Sequence, residues 1–590
     1  MDIRSTIDGQ AEGERKTITA LFADLKGSTA LIERLDPEEA RKLIDPALHI
    51  MMEAVHAYEG YVAQALGDGI FALFGAPIAH EDHAQRAVHA AIAMQTGMRA
   101  YSERLRRAGG SPLDMRVGIN SGDVVVRSIR KDDLHTDYVP VGHSTNLAAR
   151  VEQMASPGTV LITEYTQNLV AGYFKLKSLG PATIKGVEQP LTLFEVVGLG
   201  RSRTRFQVST TRGLTRFVGR QNELEQLRQA LLQTEDGHGQ VVGIMGEPGL
   251  GKSRLLHEFK ALVPGQSRVL EAFGVSYGKG SPYLPVIELL KRFFDFAPDD
   301  DERKRRVKII GQVLALDKRF DDTLPYLFSL LGIGAETANL QHMDPQIRRR
   351  RTFDALTRLI VQESMHRPLL LMVEDLHWID SETQGLLDTL VESLAAERVL
   401  LVTNYRTEYR HEWGTRTYYS QIRLVPLLHA EGAQLLENLV GTDTQLASLK
   451  RQILERTEGT PFYIEEVVQS LLEKGILSGE RGFYGVQGQE AALQIPRTVQ
   501  GVLAARIDRL PRDEKELLLQ LAVIGREFSS TLVRRVVNRA DDELDQTLIA
   551  LQRSEFLYQH AVAGDAGFMF KHALTQEVAY AAVLQDQKKA

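Results

Sequence analysis

The chain of 590 residues is longer than one hydrophobic core serves, so three or four domains are expected. Hydrophobic residues make up 43% and charged residues 25%, a balance that excludes wholesale disorder. Cysteine is absent, which excludes disulfides, thiolate metal sites and cysteine nucleophiles. We find no apolar stretch of the ~20 residues that cross a bilayer and no signal-peptide core, so we expect a cytoplasmic protein without membrane contact. The net charge of −7 argues against nucleic acid as a partner.

The first 200 residues alternate runs of β-formers with runs of helical spacing. Asp-Gly supplies the positive φ of a tight turn, so hairpins are predicted around Asp68-Gly69 and, with a similar turn composition, around Asn120-Ser121-Gly122. The predicted elements are a strand at 16–23, a helix at 37–58, strands at 61–66 and 70–74, a helix at 81–107, strands at 115–119 and 124–129, a helix at 146–154 and a strand at 160–163. This mixture indicates an α+β or mixed α/β domain.

A basic stretch separates this segment from the rest of the chain. Residues 196–222 contain six arginines and no acid, which is typical of an exposed linker. Beyond it, apolar runs at 241–245, 369–373 and 399–402 lead into polar loops and predict a parallel α/β sheet. From about residue 430 the pattern is strongly helical.

A glycine loop at 246–253 fits G-x-x-x-x-G-K-[ST] without a mismatch, between a predicted strand and a predicted helix. Its glycines allow the backbone amides to wrap a β-phosphate, while Lys252 reaches the β- and γ-phosphates and Ser253 ligates Mg²⁺. We therefore expect ATP and Mg²⁺ here. The residues that we expect to bind them are Gly246, Gly249, Gly251, Lys252 and Ser253.

The apolar run at 369–373 ends in two adjacent acids, Glu374 and Asp375, which is the form of a Walker B segment. One acid would hold the Mg²⁺ shell and the other would orient the attacking water. The alternative is a buried strand followed by two loop acids, which the upstream glycine loop makes the weaker interpretation.

From about residue 216 to its end, the chain resembles the STAND branch of AAA-like regulatory NTPases. The resemblance rests on an entry motif at 217–224, the Walker B segment with its trailing loop at 374–380, a strand-end sensor at 403–406 and a G-x-P turn at 459–462. It implies that Arg220, Arg406 and Pro461 contact nucleotide, and that the NTPase is a slow switch whose nucleotide state sets assembly. One departure is Glu374 where Asp is more usual, which leaves open which acid does which job.

Two acids near the start, Asp24 and Asp68, follow a predicted strand and lie at a hairpin tip. If these strands are neighbours, the carboxylates converge at the strand ends and suit two Mg²⁺ or Mn²⁺ ions. Taken alone the pattern is weak, because Asp-Gly in a turn is more often only a turn.

Between residues 15 and 197 the chain resembles the class III nucleotidyl cyclases. Residues 22–29 and 66–69 look like the two metal motifs, 142–150 like the G-x-x-V-N-x-A-x-R helix with Thr145 in place of valine, and 184–186 like a late strand with a phosphate-binding lysine. The resemblance implies that the ribose 3′-hydroxyl attacks the α-phosphate while pyrophosphate leaves. It assigns metal binding to Asp24 and Asp68, ribose orientation to Asn146, transition-state stabilisation to Arg150 and terminal-phosphate binding to Lys185.

Sites in that family form between two catalytic domains, so a single domain implies a homodimer with two composite sites. Adenine-selecting members usually carry lysine at the position of Gln64 and an acid or threonine at that of Val139. A glutamine amide donates or accepts and therefore selects less sharply, and valine offers no polar group. ATP stays the favoured substrate, with GTP use or modest turnover as alternatives.

The predicted fold is an α/β multidomain chain: a ferredoxin-like α+β cyclase domain, then a P-loop α/β NTPase core with helical and winged-helix modules. The predicted segments are a flexible N-terminus at 1–14, the cyclase domain at 15–197, a linker at 198–215, the NTPase core at 216–428, a helical subdomain at 429–494 and a winged-helix-like module at 495–590.

Three functions remain open on this sequence. The first is an adenylate cyclase regulated by its NTPase, and the second is a STAND switch on which the cyclase-like domain is a silent dimerisation module. The third is DNA binding through the last module, which the acidic charge disfavours. The activating signal, including any protein partner of the NTPase, is not specified. Relatives continue into helical repeats, so we expect a longer parent chain.

Overall fold

The computed structural model describes residues 13–27, 36–130, 136–185, 187, 189–200, 204–211, 213–297, 299–334, 340, 342–486, 496–537, 539–562, 565–584 and 588. They divide into two compact units. One unit consists of 1–214, 466–477 and 487–590, and the other of 215–465 and 478–486. In the part of the chain that is described, no helix has both the length and the apolar character needed to cross a bilayer.

The first unit is built on a large mixed sheet with the strand order β2-β3-β1-β4-β6-β8-β7, and β5 pairs with β4. Its strands are β1 (Gly13–Lys26), β2 (Tyr61–Ala65), β3 (Gly69–Phe74), β4 (Asp114–Arg130), β5 (Thr136–Val141), β6 (Val160–Thr163), β7 (Phe174–Ala182) and β8 (Leu191–Leu199). Its first helices are α1 (Pro37–Ala57), α2 (His83–Arg107), α3 (His143–Met154), α4 (Glu164–Val170) and α5 (Arg205–Thr211).

Successive side chains of β1 point to opposite faces of this sheet, and helices pack on both faces. Leu21 and Leu25 are buried in the core that contains residues of α1 and α2. Ile18 belongs to a second cluster with Ala148 of α3. Strand β1 therefore lies in the interior, with its carboxyl end leading to Asp24.

Residues 114–130 form one continuous strand, so the predicted hairpin around residues 120–122 is wrong. Strand β4 pairs with β1 over the whole length of β1. The polar residues that suggested a turn are buried and satisfied within the fold: Thr163 donates to Asn120 at 2.7 Å, and Ser121 lies 2.7 Å from the Thr19 hydroxyl. From local composition alone, a turn cannot be distinguished from a strand whose polar side chains bond to residues far away in the sequence.

Three further expectations are corrected. Strand β1 already begins at Gly13, so only residues 1–12 of the predicted flexible N-terminus remain, outside the described residues. The predicted linker contains helix α5, and Val208 of that helix is buried, with its side chain against Gly172. Lys185 lies in the loop between β7 and β8 and not in a strand, and Gly186 lies outside the described residues.

The second unit contains a parallel sheet with the order β10-β11-β12-β9-β13. Its strands are β9 (Gln240–Met245), β10 (Arg268–Phe273), β11 (Leu369–Glu374), β12 (Val399–Tyr405) and β13 (Tyr419–Arg423). Its helices up to the end of the sheet are α6 (Gln221–Glu235), α7 (Lys252–Ala261), α8 (Leu284–Phe293), α9 (Glu302–Leu316), α10 (Leu324–Leu331), α11 (Pro345–His366) and α12 (Ser381–Ser393). Every residue of β11 and β12 is buried, as expected of a parallel sheet covered on both faces.

Helices α13 (His429–Val440), α14 (Ala447–Thr457) and α15 (Pro461–Glu473) follow the sheet. A two-stranded ribbon of β14 (Leu477–Glu480) and β15 (Phe483–Val486) interrupts the stretch that was predicted to be helical. The last residues form α16 (Arg497–Asp508), α17 (Arg512–Ile524), α18 (Ser530–Val536), α19 (Asp541–Arg553) and α20 (Ala573–Ala582). They enclose a three-stranded sheet of β16 (Glu527–Ser529), β17 (Leu557–Val562) and β18 (Asp565–Phe570), in the order β16-β18-β17.

Candidate functional site

The two front acids come together at one end of neighbouring antiparallel strands. Asp24 near the end of β1 is paired in register with Gly69, the first residue of β3. The amide of Leu25 donates to the carbonyl of Asp68 at 3.2 Å. A Cβ on Gly69 would lie 2.4 Å from the Ala23 carbonyl oxygen, so only glycine permits this approach. The hairpin prediction is confirmed, and it places Asp24 beside Asp68.

The surroundings of Asp24 are short of positive charge. Burial and the neighbouring charge of Asp68 raise the pKa of Asp24, although the guanidinium of Arg116 lies 3.1 Å away and opposes this. Arg116 also pairs with Glu152 of α3. Burial is the main cause that raises the pKa of Glu152 to about 7. Carboxyl groups held close together in this way have a chemical reason to bind a divalent cation.

The sequence analysis did not single out Arg116 or Glu152. Arg116 stands in register with Asp24 across the β1–β4 ladder, and Glu152 lies near the end of α3. Only the pairing of distant strands brings these residues together, so no local motif marked them. Within the described residues, no group of three or more acidic, histidine or cysteine side chains is placed to hold a metal ion.

The other cyclase-type residues do not join this cluster. Asn146 is exposed on α3 and Arg150 is half-buried one turn later, while Thr145 between the glycine and Asn146 is buried and donates to the Gly142 carbonyl at 3.0 Å. Lys185 is exposed in its loop. Asn146 is thus open to solvent and Arg150 partly so.

The two positions expected to select the base lie on β2 and β5. Gln64 is exposed beside an irregularity in the pairing of β2 with β3. Of Val139 only the backbone is described, in strand β5 opposite Arg127.

In the second unit, the glycine loop connects β9 to α7 as predicted. Gly249 and Gly251 adopt φ angles of +83° and +91°, which side chains other than glycine rarely adopt. Lys252 is buried, and its ammonium group donates to the carbonyls of Gly246 and Glu247 at 2.8 and 2.9 Å. The lysine is therefore held within the loop in this structure.

The Walker B acids end β11 beside the glycine loop. Glu374 is 8% exposed and accepts a hydrogen bond from Asn404 at 3.0 Å, and a hydrogen bond also links it to Ser253. Burial, with a contribution from the charge of Asp375, raises the pKa of Glu374 to about 8. The amide of Asp375 donates to Asn404 at 2.8 Å, so Asn404, whose side chain was not assigned a role, holds both acids.

Three further residues, Arg220, Arg406 and Pro461, were predicted to contact nucleotide. Arg220 is buried and donates to Glu223 at 3.1 Å, and Arg406 is buried with its guanidinium 5.2 Å from the centre of the Trp378 ring. The turn that contains Pro461 packs on the glycine loop, where the amide of Phe462 donates to the Gly249 carbonyl at 3.2 Å.

Comparisons with known proteins also distinguish a cyclase segment from an ATPase segment of the chain. Residues 11–197 match the family model described as the adenylate and guanylate cyclase catalytic domain, and residues 216–402 match that of an AAA ATPase domain. An uncharacterized protein of Rhizobium meliloti (strain 1021) is 27% identical over 98% of this chain, which covers 55% of that relative. Adenylate cyclase 1 of the same organism is 31% identical over 33% of this chain and 30% of its own length.

Among solved structures, the adenylyl cyclase CyaB from P. aeruginosa is 31% identical and matches 33% of this chain and 100% of its own, with a TM-score of 0.31. The chain thus spans about half the length of the first relative and about a third of the adenylate cyclase from Rhizobium meliloti.

Proposed function

Because the chain contains an adenylate and guanylate cyclase catalytic domain followed by an AAA ATPase domain, we propose that it converts ATP to cyclic AMP and pyrophosphate under the control of its ATPase domain. The observation that carries the proposal is the adjacency of Asp24 and Asp68 at the ends of β1 and β3. The name of the Rhizobium meliloti adenylate cyclase gives further support.

The acid pair fits Mg²⁺ or Mn²⁺, because both carboxylates are hard oxygen ligands whose mutual repulsion a cation would relieve. Two such ions, when bound, lower the pKa of the attacking hydroxyl and neutralise the leaving pyrophosphate. Asp24 and Asp68 would hold them, and the nucleotide phosphates would supply further oxygen ligands. Arg116 would keep Asp24 ionised and oriented from the neighbouring strand.

The remaining roles require a second copy of the chain. Asn146 on α3 is open to solvent and Arg150 partly so, which is the arrangement expected if they serve the acid pair of another copy. In that homodimer Asn146 would orient the ribose, while Arg150 and the exposed Lys185 would offset charge on the α-phosphate and the terminal phosphates.

ATP is the proposed substrate, although Gln64 is a weaker selector of adenine than lysine. An amide at this position satisfies either a donor or an acceptor on the base. GTP turnover is therefore the alternative that the assay must compare.

For the ATPase domain we propose separate roles for the two Walker B acids. Glu374 is linked to Ser253 by a hydrogen bond, which favours Glu374 as the acid of the Mg²⁺ shell. That leaves Asp375, which lies just beyond the strand end with a left-handed φ of 58°, as the residue that would orient water. Lys252 would exchange its loop carbonyls for the β- and γ-phosphates.

We propose that the last module is winged-helix-like and has a structural role within the protein, and that it does not bind DNA. Helix α19 follows α18 as the second helix of a helix-turn-helix pair, and it begins with three acids. A fourth acid, Asp545, pairs with Arg534, which also pairs with Asp541. Such a face repels phosphate.

The proposal is tested by incubating the purified chain with Mn²⁺ and either ATP or GTP, and separating the products chromatographically. Cyclic AMP formation that disappears in Asp24→Ala supports it. The second candidate, a silent cyclase-like module on a working ATPase, is favoured by Gln64 and Val139. Hydrolysis of ATP without any cyclic nucleotide would select that candidate.

A further inference from the structure

A partly buried ion cluster joins the C-terminal helices to the first strand of the cyclase domain within the first unit. We call it the clasp; it consists of Glu14 and Lys16 of β1, Asp508 of α16 and Lys515 of α17. The ammonium group of Lys16 lies 2.5 Å from Asp508 and 3.2 Å from Glu14. That of Lys515 lies 2.8 Å from Asp508 and 2.7 Å from Glu14.

The clasp also holds the loop that follows β3. Lys16 donates to the carbonyl of Pro77 at 2.6 Å, and Asp508 accepts from the amide of Ala79 at 2.7 Å. Helix α16 approaches the same loop at Gly501, where a Cβ would lie 3.7 Å from the carbonyl oxygen of Glu81. Asp508 therefore reaches both β1 and the loop after β3.

The contact is a desolvated one. The side chains of Lys16 and Asp508 are 9% and 8% exposed. Burial alone would raise the pKa of Asp508, yet the charges of Lys16 and Lys515 hold it below its usual value. Two cations and two anions balance within the cluster, and loss of Asp508 leaves both lysines against the single, partly exposed carboxylate of Glu14, which costs more than loss of a surface ion pair.

The loop that Asp508 grips rests on a second group of charges. Arg86 of α2 is fully buried and donates to Asp82 at 2.8 Å and to Glu59 at 3.1 Å. The same Glu59 lies 3.2 Å from His80. Ion pairs thus hold this loop to α2 and to Glu59, which follows α1.

The clasp contacts β1 and the loop that follows β3, and Asp24 and Asp68 lie at or beside the far ends of the same two strands. Thr19 is paired with Phe74 at one end of the β1–β3 ladder, and Asp24 with Gly69 at the other. Lys16 is eight positions from Asp24 along β1, a span of ~26 Å at the rise of a β-strand. The clasp thus lies at the opposite end of the ladder from Asp24 and Asp68.

We propose that the clasp is the docking surface through which the C-terminal segment 496–584 sets the relative position of β1 and β3, and with it the metal affinity of the acid pair. Asp508 is then a positioning residue, because it acts on the site through two strands and touches neither substrate nor metal. The inference rests on the proposed function only in treating Asp24 and Asp68 as metal ligands.

The first test is amide hydrogen exchange of the full chain, which needs no activity. Asp508→Asn should speed the exchange of the Ala79 amide and its loop neighbours at least ~10-fold. Asp545→Asn, which removes an exposed carboxylate from the same segment, should not. The double variant Lys16→Met/Asp508→Leu removes both charges of the pair together and should restore protection of the loop neighbours, though not of the Ala79 amide, whose acceptor it removes. Equal exchange in the wild type and in Asp508→Asn would overturn the docking role.

The second test is Mn²⁺ binding to the full chain without nucleotide, followed by electron paramagnetic resonance, with the Asp24-dependent part isolated by Asp24→Asn. We expect Asp508→Asn to weaken this part at least ~3-fold and the apolar double variant to recover it. Unchanged affinity, or no Asp24-dependent binding, would overturn the coupling. Because the readout is binding, a wild-type chain that binds Mn²⁺ but forms no cyclic nucleotide would refute the proposed function alone.

Discussion

The guanidinium of Arg116 lies 3.1 Å from the carboxylate of Asp24 and is shared with Glu152. In the absence of a metal ion, one side chain thus offsets part of the repulsion between Asp24 and Asp68. Burial and the charge of Asp68 nevertheless raise the pKa of Asp24. A bound cation would relieve the remaining repulsion between the two carboxylates.

The first prediction concerns the stability of this pair. In EDTA, Asp24→Asn should leave the melting temperature unchanged or raise it slightly, because a repelling charge is removed. Mn²⁺ should raise the melting temperature of the wild type, because a ligand stabilises the state that binds it. In Asp24→Asn the part of this rise that depends on Asp24 should be absent. Asp45→Asn, at an exposed ion pair of α1, is the matched control. A variant that melts lower in EDTA and still responds fully to Mn²⁺ would contradict this account.

The second prediction separates the Walker B acids. Asp375→Asn should retain ATP binding and lower hydrolysis on the order of 100-fold, because the residue that orients water is lost. Glu374→Gln should instead weaken Mg²⁺-dependent ATP binding. Equilibrium binding and single-turnover hydrolysis measure the two effects. If the two patterns are exchanged, the proposed roles are reversed.

The third prediction is a pH dependence in the second unit. Burial lowers the pKa of His411, although the charge of Asp388 opposes this. His411 accepts from the amide of Trp413 at 3.2 Å, so its other ring nitrogen carries the proton and faces the hydroxyls of Tyr405 and Tyr419 at 3.0 and 3.1 Å.

Because the pKa of His411 is lowered in the folded state, the contribution of His411 to the free energy of unfolding is fully present above the unfolded pKa of about 6.5. It is lost as the pH falls through the folded pKa. Urea midpoints should therefore drop more steeply between pH 7.5 and 5.5 in the wild type than in His411→Gln. Parallel midpoints in the two proteins would refute the assignment.

The fourth prediction concerns the choice of base. Gln64→Lys should raise the ratio of kcat/KM for ATP over GTP by about 10-fold, the value of one well-placed hydrogen bond of about 1.4 kcal/mol. Gln64→Met is the matched control, because it keeps the side-chain length and removes both polar groups. If Gln64→Lys and Gln64→Met change the ratio of kcat/KM values alike, this side chain does not contact the base.

Local patterns predicted the acid pair and the glycine loop because each motif lies within a few residues of a turn. The hairpin expected at Asn120 failed because its polar side chains bond to Thr163 and to residues of β1, far away in the sequence. The clasp could not be predicted for the same reason, because Lys16 and Asp508 are 492 positions apart in the sequence. Arg116 and Glu152 likewise become visible only when β1, β4 and α3 are packed together.

The central claim is tested most directly by mixing two inactive variants. Asp24→Asn lacks a metal ligand and Arg150→Ala lacks the arginine that we assign to the other side of the composite site. If the chain is a homodimeric cyclase, an equimolar mixture allowed to exchange subunits should regain about a quarter of the wild-type cyclic AMP formation, since half of the dimers carry one intact site. A mixture as inactive as its components, beside an active wild type, would contradict it.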